Sequence, residues 1–94
     1  MNIRRLLLDV DKALEIPSIL EIAEAIEGVK GVEGANITVT DIDTETVGME
    51  VTIEGDHINY TDVERAIVKV GAALHSIDEI VVGGRMVERV PRSR

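Results

Sequence analysis

The chain has 94 residues, enough for one domain, and it contains no cysteine, which excludes disulfides, thiolate metal ligands and thiol nucleophiles. Its formal net charge of −8 argues against a nucleic-acid partner, and Tyr60 is the single aromatic residue, so Ile, Val and Leu must form the core. Asp9 and Asp11 interrupt the short apolar run near the start. We therefore expect neither a signal peptide nor a transmembrane span, but a cytoplasmic protein that contacts no membrane.

The first half of the chain predicts a strand, a helix and a second strand. Residues 3–10 are rich in Ile, Leu and Val, which is typical of a central strand, and a loop follows from Asp11 onward. Ser18 and Glu21 have the spacing of a capping box, which begins a helix with apolar residues every three or four positions. Residues 35–42 read ANITVTDI, and their alternation of apolar and polar side chains predicts the second strand.

The second half repeats this order of elements after a hairpin turn. Residues 47–53 alternate between apolar and polar side chains and predict the third strand. Thr61 and Glu64 form a second capping box, which begins a helix over residues 61–74. Residues 77–82 predict the last strand, which ends at two consecutive glycines.

Residues 3–43 and 47–90 thus share one order of elements, and together they predict an α+β, ferredoxin-like βαββαβ sandwich. Right-handed crossovers place the third strand beside the first, which gives an antiparallel sheet in the order 4-1-3-2. Two helices, near residues 17–28 and 61–74, cover one face of this sheet. Residues 1–90 form the single domain, and residues 91–94 form a short basic C-terminal tail.

The sheet face opposite the helices is expected to be covered by another subunit, because it carries the large apolar residue Leu7. The other residues predicted on this face are Thr38, Thr40, Ile42, Glu50, Thr52 and Glu54. We expect a homo-oligomer larger than a dimer, since a small domain gains stability by association, and Glu50 or Glu54 would meet Arg85 or Arg89 of another copy. The lack of Phe and Trp argues against single-stranded RNA on this face.

Acidic residues collect at one pole of the predicted sheet, where the first and second strands end and the third and fourth begin. These residues, with a neighbouring histidine and serine, are Asp9, Asp11, Asp41, Asp43, Glu45, His75, Ser76, Asp78 and Glu79. Clustered carboxylates suit Ca²⁺ or Mg²⁺, and a histidine also permits Mn²⁺ or Zn²⁺. The preferred ligands are Asp9, His75 and Asp78, followed by Glu79 and then Asp11. Solvated carboxylates that only cap turns are the alternative reading.

Four segments of the chain resemble a small archaeal family of domains of unknown function. They are RLLLDVDK at residues 5–12, EIPSILEIAEAI at 15–26, GVEGANITV at 31–39 and HSIDEIVVG at 75–83. The resemblance implies a ferredoxin-like fold, a homo-oligomeric assembly and a bound divalent cation, with the motif positions of the family at Asp9, His75, Ser76, Asp78 and Glu79. Asp11 and Ala13 depart from the DVLKPHE-like phrase of that family. Residues 28–39 are also similar to a turn of heavy-metal-associated and amino-acid-regulatory domains, whose Cys-x-x-Cys motif has no counterpart here.

Three functions are consistent with these observations. The first is a non-enzymatic, oligomeric module that binds a regulatory ligand or a divalent cation near the loop after the first strand, where the helix end at Ser18 favours a small anionic effector. The second is a small metal-dependent enzyme that uses the acidic pole around Asp9 and Asp78. The third is a purely structural assembly unit.

Overall fold

The computed structural model describes residues 1–92, so Ser93 and Arg94 of the predicted basic tail lie outside the described residues. The elements are β1 (Ile3–Ala13), α1 (Ile19–Glu27), β2 (Val32–Ile42), β3 (Thr46–Gly55), α2 (Tyr60–Lys69) and β4 (Ala73–Val82). The strands form one antiparallel sheet in the order β2-β3-β1-β4, which is the predicted order read from the other edge. The predicted α+β, ferredoxin-like βαββαβ arrangement is confirmed at this level.

The core lies between one face of the sheet and the two helices. Side chains alternate between the two faces of a strand, and Leu6, Leu8 and Val10 of β1 are completely buried. They pack in one apolar cluster with the inward residues of β3 and with both helices, through Val47, Met49, Val51, Ile53, Ile22, Ile26, Val63 and Ile67. Aliphatic side chains therefore supply the core, as the composition predicts.

The first helix begins where the capping box predicts. The Ser18 hydroxyl accepts a hydrogen bond from the Glu21 amide at 3.1 Å, and the Glu21 carboxylate accepts one from the Ser18 amide at 3.0 Å. These two bonds satisfy amides that a helix start otherwise leaves unpaired. The helical residues run to Glu27, and Gly28 is the C-terminal cap.

The second helix differs from its prediction at both ends. Its N-cap is Asn59, whose side chain accepts a hydrogen bond from the Asp62 amide, so the predicted capping box of Thr61 and Glu64 is wrong. The helix ends at Lys69 rather than at residue 74, because Gly71 has φ +100° and turns the chain out of the helical conformation. Leu74 fits the apolar spacing of the predicted helix, but it belongs to β4, where it pairs with the inward Val10 and packs against the core.

The strand predictions also need correction. β2 begins at Val32 rather than at residue 35, so Gly34 belongs to the strand and pairs with Glu54. β1 continues to Ala13, so Asp11 belongs to the strand and not to a loop, and β4 begins at Ala73 rather than at residue 77. β2 and β3 shift register between Val39 and Asp41. Beyond this shift Ile42 pairs with the buried Val47 on the helix side, so its predicted place on the opposite face is wrong.

A close backbone approach joins the start of β2 to the end of β3. A Cβ atom on Gly55 would lie 1.9 Å from the carbonyl oxygen of Gly31, and that carbonyl accepts a hydrogen bond from the Asp56 amide at 2.9 Å. Gly31 itself has φ +93°. Only glycine fits at Gly55 without moving this backbone, which holds the β2–β3 pair in place.

Candidate functional site

The sheet face opposite the helices, called the open face below, is lined by alternate residues of β1 and β3. Because Leu6, Leu8 and Val10 point to the core, the residues between them point to the open face. In register across the two central strands, the open face carries Arg5 with Glu54, Leu7 with Thr52, Asp9 with Glu50, and Asp11 with Gly48. The basic Arg5 thus lies at one end of this row, and the acidic Asp9, Asp11 and Glu50 lie toward the other end.

Two carboxylates face each other at the middle of the open face. Asp9 of β1 is the direct partner of Glu50 of β3, and Thr38 of β2 is the next residue in this row. Directly opposed side chains of neighbouring strands lie close together, and like charges in this arrangement destabilise the sheet. This pair therefore favours a bound cation or a basic group beside it.

Asp11 and His75 form a contact one pair further along the same face. The His75 Nε2 atom lies 2.6 Å from the Asp11 Oδ2 atom. Gly48 leaves space on the other side of Asp11, because a Cβ atom there would be 3.5 Å from Asp11 Oδ1 and 3.6 Å from Asp41 Cβ. The carboxylate orients the imidazole, and the glycine keeps the space between Asp11 and Asp41 free of a side chain.

The other predicted ligands make separate contacts. The Ser76 hydroxyl donates to Asp78 at 2.7 Å, and Glu79 lies 3.5 Å from the Arg5 guanidinium. Within residues 1–92, no three His, Cys, Asp or Glu side chains converge closely enough to hold a metal ion. The chain thus brings Asp11 to His75, and it distributes Asp9, Asp78 and Glu79 along the β1–β4 pair. Their role as ligands stays a prediction.

Asp43 of the acidic pole serves the β2–β3 hairpin. Its carboxylate accepts a hydrogen bond from the Thr44 amide at 2.7 Å, and its own amide donates to the carbonyl of Thr46 at 2.8 Å. These bonds stabilise the turn, as short polar side chains commonly do. The turn-capping alternative therefore applies to Asp43.

Arg5 is the residue of the open face that sequence reasoning missed. It contacts Glu54 at 2.9 Å and donates two hydrogen bonds to Glu88, at 2.7 and 2.9 Å. These bonds, first those to Glu88, raise the pKa of the guanidinium, and in turn they hold the pKa of Glu88 below its usual value. Arg5 thereby ties the end of the chain to the sheet.

The C-terminal segment, residues 85–92, is consequently held to the open face through Glu88. Val87, Glu88 and Arg89 line a shallow cleft together with Leu7, Asp78 and Glu79. Leu7 therefore has neighbours from its own chain, while contact with Arg85 or Arg89 of another copy stays a prediction. Two features of the sequence could have indicated this contact. Leu7 is an apolar residue on the open face two positions from Arg5, and Glu88 near the end of the chain can pair with an arginine.

A second candidate site lies on the helix side of the sheet, between β2 and the start of α1. Lys12, Leu14, Glu15, Ser18, Ile19, Leu20, Val39, Ile42 and Val47 line an open cleft of about 380 Å³, called the Lys12 cleft below. The start of α1 was predicted to attract an anionic effector, but the Ser18 amide there already donates a hydrogen bond to the Glu21 carboxylate of the same chain. Lys12 is the remaining positive group at this site.

Comparisons with known proteins agree with the sequence resemblance. Residues 4–94 match the DUF211 family, which is described as Uncharacterized ArCR. The chain is also similar to the uncharacterized protein MJ0319 of Methanocaldococcus jannaschii, with 39% identity over 95 residues, 99% of this chain and 97% of that protein. In the part of the chain that the structure describes, no helix is long and apolar enough to cross a membrane.

Proposed function

Because this chain belongs to the DUF211 family, whose description names no activity, we propose a function from its geometry: a non-enzymatic, homo-oligomeric module, larger than a dimer, that binds a small ligand or a divalent cation. The observation that carries this proposal is the pair of free sheet edges. In the described residues, β2 and β4 each pair with one neighbour only. Their segments, VEGANITVTDI and ALHSIDEIVV, contain no lysine, arginine or proline. The edge protection that is present consists of two carboxylates in each strand, Glu33 and Asp41 in β2 and Asp78 and Glu79 in β4, and of the register irregularities in both outer pairs.

The directions of the two edges suit head-to-tail pairing. β1 is antiparallel to both β3 and β4, and β2 is antiparallel to β3, so β2 and β4 run in opposite directions. The β4 edge of one copy can therefore pair with the β2 edge of the next and continue the antiparallel sheet. Since such an interface joins two different surfaces, it repeats from copy to copy, and the rotation between copies decides whether it closes as a ring or continues as an open filament. We propose the ring, which would contain more than two copies.

Exposed apolar side chains flank both edges on the helix side of the sheet. Beside β2, Leu20 and Ile42 are 81% and 69% exposed, and beside β4, Ile77 and Ile80 are 45% and 46% exposed. Ile77 and Ile80 pair with the inward Leu8 and Leu6, which places them on the helix side. Head-to-tail pairing would bury Leu20 and Ile42 of one copy against Ile77 and Ile80 of the next. The apolar cores of the two copies would then be continuous.

The cation part of the proposal concerns the open face. Asp9 opposes Glu50, Asp11 contacts His75, and Gly48 leaves space beside Asp11. Ca²⁺, Mg²⁺ or Mn²⁺ bound by Asp9 and Glu50 would relieve the repulsion between them, and water would complete the coordination, because no third His, Asp or Glu side chain of residues 1–92 converges there. Asp78 and Glu79 stay predicted ligands that would have to leave their present contacts with Ser76 and Arg5. The alternative of a small metal-dependent enzyme relies on the same carboxylates, and no additional observation favours it.

The assembly is tested with variants that each block one edge. Val39→Lys blocks the β2 edge and Ile77→Lys blocks the β4 edge, so each variant alone should have the monomer mass of 10.2 kDa in light scattering. A mixture of the two should form dimers, because each variant retains the edge that the other lacks. The control is Val90→Lys in the exposed C-terminal segment, which should assemble like the wild type.

Three outcomes would contradict the assembly. They are a monomeric wild type over a wide range of concentration, single-edge variants that remain fully assembled, and a mixture that remains monomeric. Native mass spectrometry of protein purified without chelator reports the number of copies and any bound metal in the same spectrum.

A further inference from the structure

Lys12 is the one buried charged side chain in residues 1–92, with 7% of its surface exposed. The alternation of β1 turns it toward the helices, in line with Leu8 and Val10. Its Nζ atom donates to the carbonyl oxygens of Ala13 at 3.0 Å and Leu14 at 2.9 Å. An ammonium has three N–H donors, so the two carbonyls leave one N–H without a partner from these bonds.

No carboxylate neutralises this ammonium among the described residues, because their ion pairs do not include Lys12. The stem of Lys12 is buried, whereas its ammonium lines the open Lys12 cleft and its two hydrogen bonds are only partly buried. The remaining N–H can therefore donate to water or to a ligand in the cleft, and a negatively charged ligand would form the stronger, charge-assisted hydrogen bond.

The walls of the Lys12 cleft are mostly apolar. They are formed by Leu14, Ile19, Leu20, Val39, Ile42 and Val47, around a volume of about 380 Å³. The polar residues of the lining are Lys12, Glu15 and Ser18, and a mostly apolar cleft with a few polar groups is the usual composition of a small-molecule site. The charge complements an anionic head, and the walls complement an aliphatic tail.

We infer that the Lys12 cleft binds a monocarboxylate with an aliphatic tail, whose carboxylate pairs with the Lys12 ammonium. A doubly charged phosphate would meet a single cation with Glu15 beside it, and Glu21 already accepts from the amide of Ser18. A neutral apolar molecule would leave the ammonium without a counterion. One negative charge with an apolar chain therefore matches the cleft best.

This inference rests on the proposed binding module and names its ligand class. The Lys12 cleft lies beside β2, because Val39 and Ile42 belong to both. Leu20 and Ile42 are also the side chains that the next copy would cover, so pairing of the β2 edge would narrow the opening of the cleft and the ligand tail would share these two side chains with that copy. The ligand would then bind beside the contact between two copies, where its tail adds apolar surface to that contact.

The test is a methyl NMR titration of the wild type with sodium octanoate, followed at Leu20, Val39 and Ile42. Octanoate should give saturable shifts at these residues, whereas acetate at equal concentration should not, because it has no tail to contact the walls. Lys12→Met should weaken octanoate binding at least tenfold and should retain octan-1-ol binding, because the apolar walls remain. Lys69→Met, an exposed lysine on α2 outside the cleft, should bind octanoate like the wild type.

A wild type without saturable shifts, or a Lys12→Met protein with unchanged octanoate affinity, would overturn the inference. If Lys12→Met does not fold, Ile42→Glu provides the second test, since it places a carboxylate at an exposed position of the cleft wall and should abolish octanoate binding. Retained binding in that variant would also overturn the inference. Light scattering of the same samples separates the two proposals: a monomer that binds octanoate contradicts the assembly alone, and an oligomer that does not bind it contradicts this site alone.

Discussion

Charged side chains are distributed unevenly along the open face. At one end Arg5 meets three carboxylates, those of Glu54, Glu79 and Glu88. At the other end Asp9 opposes Glu50, and His75 is the basic group that contacts Asp11. One guanidinium offsets one of the three carboxylate charges at the first end. At the second end Asp9 and Glu50 face each other across the two central strands, and we propose this pair as the place where an external cation would act.

Replacing Asp9 tests this second end directly. In EDTA, Asp9→Asn should stabilise the protein by roughly 0.2–1 kcal/mol, because it removes a like charge opposite Glu50. Ca²⁺ or Mn²⁺ should raise the melting temperature of the wild type, with about 1.4 kcal/mol for each tenfold increase of free metal above its dissociation constant. Asp9→Asn should lose most of that response, and Glu64→Gln on α2 should keep it. An Asp9→Asn protein with the full metal response would remove Asp9 from the site.

The contact between Arg5 and Glu88 should respond to acid. Arg5 holds the pKa of Glu88 below the ordinary value of 4.5, so the contact is fully formed above that pH and is lost as the pH falls through the lower folded value. Methyl NMR of Val87 should therefore report release of the C-terminal segment at acidic pH. Glu88→Gln should remove this transition, while Glu27→Gln on α1 should not. The same acid transition in Glu88→Gln would show that another group controls the segment.

The helices of this fold are short and depend on their ends. α1 has 9 residues and α2 has 10, and isolated helices of this length are marginal in water. Packing on the sheet and capping therefore have to supply their stability. α1 has the complete capping box of Ser18 and Glu21, whereas the start of α2 has a single capping bond from Asn59.

The cap of α2 gives a test between two residues. Asn59→Ala should lower the free energy of unfolding by about 1 kcal/mol, because the Asp62 amide loses its partner. Thr61→Ala should change it by less than about 0.5 kcal/mol, as for a surface position that caps nothing. Urea denaturation measures both. A larger loss for Thr61→Ala would support the cap predicted from the sequence instead.

The whole molecule combines a large negative charge with two free sheet edges. At a net charge of −8 for each chain, copies repel one another at long range. The proposed contact between edges would rely on backbone hydrogen bonds and apolar side chains, which salt does not weaken by screening. Repulsion between copies and this proposed contact would therefore respond differently to ionic strength.

Salt dependence consequently distinguishes two kinds of interface. Raising NaCl from about 0.05 M to about 0.5 M shortens the range of the repulsion, so an assembly through the β2 and β4 edges should become tighter. An assembly held mainly by Glu50 with Arg85 or Arg89 of another copy should instead become weaker. Sedimentation velocity at constant protein concentration measures the change. Dissociation by salt would contradict pairing of the edges as the main contact.

Much of the fold could be predicted because the deciding signals are local. The capping box of α1 involves residues three positions apart, and alternation within a strand assigns Asp9 to the open face. The strand order followed from the handedness of crossovers once the element order was known. The end of α2 could not be predicted from spacing alone, because Leu74 matches the helical pattern and Gly71 decides the boundary through its backbone conformation.

By itself, the sequence determined the order of the elements, the pairing of the strands and the start of α1, since each depends on near neighbours or on general chirality. The tertiary structure decided which distant groups meet. Arg5 reaches Glu88 across 83 positions of the chain, and Asp11 meets His75 because β1 and β4 are neighbours. It also decided that most of the Lys12 side chain is buried beside an apolar cleft, because the packing of α1 and β2 around β1 covers its stem and leaves its ammonium at the cleft.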